Sequence, residues 1–124
     1  MSVVEMSEEL EEIIFTIVGQ AGECRGLAYE ALGEAERGNF EGAEIKLKEA
    51  EVAIHKAHYV QTDLIQKEAA GEPTPISMVF VHAQDHLMTA ISEKELIKKM
   101  IKMYQTMLLM NERLEKLESI NRRD

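Results

Sequence analysis

The chain has 124 residues, a formal net charge of −9 and 45% hydrophobic residues. That length suits one domain with a core of its own, the acidic balance argues against binding a nucleic-acid backbone, and no stretch approaches the roughly 20 apolar residues of a membrane span. Cys24, the single cysteine, excludes an internal disulfide and fits a reducing cytosol, so a cytoplasmic location is expected.

There is no Trp, only three Phe and three Tyr, and there are eight Met among many Ala, Glu, Leu, Ile and Lys. These are good helix formers, and they predict an all-α protein. The opening residues Met1–Glu5 have no basic region followed by an apolar run, so no signal peptide is expected.

The first predicted helix covers about residues 7–37. Leu10, Ile14, Ile17, Ala21, Cys24, Ala28, Ala31 and Ala35 alternate four and three apart, which makes one face apolar. Cys24 reads as a small core residue on that stripe. Gly38-Asn39-Phe40 is the first turn: Gly38 can end one helix and Asn39 can cap the next.

The second helix, about residues 40–70, repeats the pattern with Ala43, Leu47, Ala50, Ile54, Ala57, Gln61 and Leu64. Gln61 is an amide on the packing seam. His55 reads as a solvated residue, and His58 as one nearer the seam. Gly71-Glu72-Pro73-Thr74-Pro75 forms the second turn, with Thr74 as cap and Pro75 in the first helical position, where its missing N–H is harmless.

The third helix is expected over about residues 75–117, with a mobile end. Three long helices and two short loops predict an antiparallel up-down-up bundle over the whole chain. On a wheel of about 100° per residue, Ile76, Val79, Phe80, Val81, Ala83, Leu87, Met88, Ala90 and Ile91 cover an arc of about 200°. A three-helix monomer cannot bury that arc, so this helix is expected to pack against other subunits as well.

Within that apolar stretch stands His82-Ala83-Gln84-Asp85-His86. Buried polar groups cost a few kcal/mol each unless paired, by order of magnitude, so two histidines, an amide and a carboxylate here need a reason. His82, Asp85 and His86 share one side of the helix. A neutral imidazole at the edge of an apolar patch is a good phosphoryl acceptor, one ring nitrogen attacking while the other donates a hydrogen bond that fixes the tautomer. The same spacing also fits a metal site on a helix, which Glu51, His55 and His58 could extend, or a pair of hydrogen-bonded interface histidines. Spacing alone leaves these three open.

The run Ile76–Thr89 resembles the signature of the enzyme IIA component of the lactose/cellobiose (N,N′-diacetylchitobiose) class of the bacterial phosphoenolpyruvate-dependent sugar phosphotransferase system. Gly22–Leu32, Gly38–Phe40 and Ala57–Ile65 resemble its first helix, first turn and second helix. The resemblance spans about residues 10–108. It implies a homotrimer in which His82 takes a phosphoryl group from the phosphohistidine of HPr and passes it to a cysteine of the IIB component. Gln84 and His86 would assist. It also implies that Asp85 from each subunit meets the others at the trimer axis around a divalent metal ion, magnesium. Cys24 and Gly26 depart from the expected Ala and Ser. Ala83 leans towards a cellobiose or chitobiose system.

Overall fold

In a computed structural model, which describes residues 6–123, the chain forms α1 (Glu8–Glu36), α2 (Phe40–Ala69) and α3 (Met78–Arg123) and no strand among the described residues. The readings of Met1–Glu5 and of the last residue, Asp124, lie outside the described residues. The helices run up, down and up, with α1 packed against both others and α2 and α3 touching each other least.

Each helix start is capped by a short polar side chain. Ser7 Oγ accepts from the Leu10 N–H at 3.1 Å, and Asn39 Oδ1 from the Gly42 N–H at 3.0 Å. Gly38 and Gly71 take φ of 80° and 95° just after α1 and α2, a left-handed conformation that glycine adopts without steric strain. Glu34 accepts from both Arg37 and Asn39, which ties the first turn together and holds its carboxyl below the usual range.

The second turn differs from expectation. Ser77, not Thr74, caps α3: its Oγ accepts from the Phe80 N–H at 3.1 Å and its carbonyl from the Val81 N–H at 3.1 Å. Pro73 and Pro75 therefore lie in an irregular connection ahead of α3, which begins at Met78. A serine supplies the same capping oxygen as a threonine, and the residues ahead of the two prolines are biased away from helix. At its other end α3 runs unbroken to Arg123, past residue 117.

The α1 seam is buried at every position that the spacing marks. On α2, Ala53 is buried and Leu47 only half-buried, the other seam positions being buried as expected. Gln61 is buried, and its Oε1 has no hydrogen-bond partner among the described residues. His58 is exposed, away from the seam. The α3 stripe is Phe80, Ala83, Leu87, Ala90, Lys94, Ile97 and Ile101. The eight seam alanines of α1 and α2 that face this stripe and each other leave little side-chain bulk between the backbones, so the helices can approach closely.

Lys94 is the exception in this stripe, a lysine only 5% exposed. Burial alone would depress its ammonium, but hydrogen bonds to Glu51 and Glu95 outweigh that and hold it above its ordinary value. The Lys94 hydrogen bond in turn holds the Glu51 carboxyl low. A carboxyl depressed on folding stabilises the protein at neutral pH, and that contribution disappears as pH falls through its folded pKa. Glu51→Ala is expected to destabilise the protomer by about 2 kcal/mol at pH 7, because it strips a buried ammonium of its main partner. Urea midpoints at pH 7 and pH 3 check this: the variant's loss should shrink at the lower pH, and a loss unchanged by acid would contradict the pairing.

Burial also pushes the Cys24 thiol up, consistent with an inert core residue. The protomer covers only part of the apolar arc of α3. Val79, Val81 and Met88 are exposed, Val81 by 46% and Met88 by 55%, as is Ile76 just ahead of the helix.

Candidate functional site

The site run lies on the first three turns of α3. Ala83 and Leu87 pin this segment to the core at 0% exposure. With those two turned inward, helical geometry dictates where the polar residues point. His82 and Asp85 are exposed, and Gln84 and His86 are half-buried.

His82 and His86, one turn apart, are brought together. Their Nε2 atoms stand 3.0 Å apart, with the rings edge to face at 4.5 Å between centroids. A contact of that length between two neutral ring nitrogens requires one to donate and the other to accept, so the tautomers of the two rings are coupled. In the arrangement where His86 Nε2 donates, the His82 Nε2 lone pair faces it and the His82 proton sits on Nδ1, which leaves His82 the neutral nucleophile that group transfer requires.

Gln84 is not part of that pair. Two residues along a helix turn a side chain by about 200°, and Gln84 lines a groove on the α2 side with Leu64, Ile65, Glu68, Phe80 and Val81. It can meet a His82 only from another copy of the chain.

Asp85 is also on its own within the protomer. Among the described residues no three His, Cys, Asp or Glu side chains gather in a way that could hold a metal ion. His55 lies 3.8 Å from Glu51, whose carboxylate is engaged by Lys94, so Glu51, His55 and His58 do not extend the site at His82. A single exposed carboxylate binds no cation firmly. A site at Asp85 therefore needs the same residue from further copies, and three carboxylates would make an all-oxygen donor set that suits a hard divalent ion.

One neighbour was missed in the sequence. Arg25 on α1 lines, with Gly22, Gly26, Tyr29, His86 and Thr89, a shallow groove of about 450 Å³. Its Nε donates to Glu93 Oε2 at 2.7 Å, a bond across from α1 to α3 that steadies the guanidinium beside His86. The signal was there in Gly22 and Gly26, four residues apart on α1, which leave room opposite a larger residue of α3.

The family described as "PTS system, Lactose/Cellobiose specific IIA subunit" matches residues 12–105. The lichenan-specific phosphotransferase enzyme IIA component of Bacillus subtilis (strain 168) is 45% identical over 100 residues, covering 81% of this chain and 91% of that protein. The crystal structure of the PTS cellobiose-specific enzyme IIA from Bacillus anthracis superposes with a TM-score of 0.80 at 41% identity, over 87% of this chain and 98% of that one. A solution structure of IIA(chitobiose) in complex with HPr, from the N,N′-diacetylchitobiose branch of the Escherichia coli phosphotransferase system, superposes with a TM-score of 0.71 at 39% identity. It covers 82% of this chain and 98% of that one.

Proposed function

The chain belongs to the lactose/cellobiose-specific IIA family of the phosphotransferase system, and on that premise we propose that it is a phosphocarrier whose His82 accepts a phosphoryl group from phospho-HPr and passes it to a cysteine of the IIB component. The observation that carries this is the exposed His82 ring held by His86 at 3.0 Å. Interaction with HPr is supported by the complex solved for the chitobiose relative.

In the first step a lone pair of the His82 imidazole attacks phosphorus in line. The P–N bond to the HPr histidine breaks as the new P–N bond forms, and the HPr imidazole leaves with its electron pair. The N–H on the other nitrogen of His82 stays in place, so no base is needed. The second step repeats the exchange with a thiolate of IIB as the attacking group. Such transfers need positioning and donors for the equatorial oxygens more than covalent help. His86 suits that task in the arrangement where its Nε2 donates: its N–H would pass from the His82 Nε2 lone pair to a phosphoryl oxygen as the new P–N bond forms. The guanidinium of Arg25, paired with Glu93, lines the groove beside it.

Three copies around an axis would cover Val81 and Met88, which the protomer leaves exposed. Asp85 lies between these two along the same face. Three clustered carboxylates raise one another's pKa and repel. A divalent cation, magnesium, held by Asp85 of each copy would supply the neutralising charge there, and it takes no part in the transfer.

The test is incubation with phosphoenolpyruvate, enzyme I and HPr. An acid-labile mass gain of one phosphoryl group per chain, lost on adding IIB, is the expected result. No gain would overturn the assignment and leave a helical scaffold. In the same assay His86→Ala should slow transfer about tenfold, the equivalent of one lost hydrogen bond of about 1.4 kcal/mol. An unchanged rate would remove His86 from the site.

A further inference from the structure

The His82 and His86 rings leave no space for the group that the proposed transfer places between them. Their Nε2 atoms stand 3.0 Å apart, within direct hydrogen-bond range. With His86 Nε2 donating, the His82 lone pair that bonds phosphorus faces His86, and phosphorus arrives there with three oxygens. One ring has to withdraw as the P–N bond forms. His82 cannot swing far without carrying its phosphoryl group away from the His86 N–H, so the ring free to move is His86.

His86 has somewhere to go. It forms one wall of the groove of about 450 Å³ between α1 and α3, which Gly22, Arg25, Gly26, Tyr29 and Thr89 also line. On α1 the floor of this groove is glycine: a Cβ placed on Gly22 or Gly26 would meet nothing within 4 Å. Glycine inside a helix weakens it relative to alanine, and neither residue has the left-handed backbone that would demand glycine. What the two glycines do is keep the space beside His86 open. The far end of the groove is closed by Arg25 Nε donating to Glu93 Oε2 at 2.7 Å, which ties the two walls together. His86, Thr89 and Glu93 follow one another at three and four residues, so the groove runs along a single polar line of α3.

We propose that this groove is a recess for the His86 ring, which retreats into it when His82 carries the phosphoryl group and returns when the group leaves. His86 is then a positioning residue with two stations. In the first, its Nε2–H meets the His82 lone pair. In the second, the ring has withdrawn towards Gly22 and Thr89, and the same N–H meets a phosphoryl oxygen. The exchange needs only a change of side-chain torsion, and a helical backbone accepts more than one rotamer. No bond beyond those of the transfer forms or breaks, and both rings keep their protons. The inference deepens the phosphocarrier reading and rests on it.

The test compares Gly22→Leu, which fills the recess from α1, with Gly19→Leu, the same change on the same helix outside the groove. A Cβ at Gly19 also meets nothing within 4 Å, and leucine is the better helix former. Both chains are therefore expected to fold and to melt no lower than the wild type. Transfer from phospho-HPr is followed in a single turnover. Gly22→Leu is expected to slow it by roughly tenfold, since a small misplacement at a reacting group costs that much or more, and Gly19→Leu to leave it unchanged. The comparison is then repeated in a His86→Ala background. With no ring to house, Gly22→Leu should cost nothing further, a non-additivity that marks a shared mechanism. Full-rate transfer by Gly22→Leu would overturn the recess. So would an equal loss with and without His86, which would mean that the leucine obstructs HPr. The ring itself gives a second readout: nuclear Overhauser contacts from His86 ring protons to the Gly22 Hα should strengthen when the wild type is phosphorylated. Unchanged contacts would place the movement in His82 and overturn the proposal. A wild-type chain that takes no phosphoryl group removes the phosphocarrier reading and the recess together, whereas failure of the recess alone leaves His82 as the acceptor.

Discussion

His82→Ala is expected to abolish phosphoryl transfer to IIB, with no more than background rate in a coupled assay. The lost group is the acceptor itself, so the effect exceeds anything a positioning residue can produce. Enzyme nucleophiles give up the whole catalysed path when removed, often several orders of magnitude. The protomer should be untouched. His82 is exposed, it pairs with His86, and the neighbouring Ala83 and Leu87 keep the helix seated. A circular dichroism melt unchanged to within about 2 °C separates loss of chemistry from loss of fold, since surface substitutions shift stability by about 0.5 kcal/mol or less. His82→Gln should behave the same way, because an amide has no lone pair basic enough to take the phosphoryl group. Transfer retained in either variant would move the acceptor elsewhere, with His86 the first alternative.

Asp85→Leu is expected to keep or strengthen the oligomer. If three carboxylates meet at the axis, replacing them with apolar side chains removes repulsion and the need for a cation. Comparable replacements of buried charges gain about 1–4 kcal/mol, which would lower the dissociation constant by about fivefold to nearly a thousandfold. The wild-type oligomer should weaken when a chelator strips the divalent ion, and the Asp85→Leu oligomer should not. Sedimentation velocity over a dilution series, with and without chelator, reads both effects. An Asp85→Leu chain that falls apart to protomers would place Asp85 away from the axis.

Much of the fold can be read from the spacing of small and apolar residues, because a helix seam repeats every three or four positions whatever its partners. The α1 series from Leu10 to Ala35 is buried at every step. The same rule, extended along α3, predicts an inward residue at position 94, but the lysine there masks it. Only the structure reveals that Glu51 and Glu95 neutralise it. The start of α3 was harder, since Thr74 and Ser77 are comparable caps and local propensity does not rank them. His58 illustrates a different limit: its neighbours suggested the seam, and a rotation of one position places it outside.

The site divides along similar lines. The contact between His82 and His86 follows from their separation of four residues. The opposite orientation of Gln84 also follows from helical geometry, once Ala83 and Leu87 are known to face inward. What Asp85 and Gln84 do depends on copies of the chain that spacing within one helix does not encode. The signature run Ile76–Thr89 supplies that information only through the family to which the chain belongs.

The most direct measurement is the location of the phosphoryl group on the wild-type chain. After phosphorylation by phosphoenolpyruvate, enzyme I and HPr, proteolysis at neutral to alkaline pH followed by electron-transfer fragmentation should place a single phosphoryl group on His82. A phosphoryl group on His86, His55 or His58, or on none of the histidines, would contradict the account.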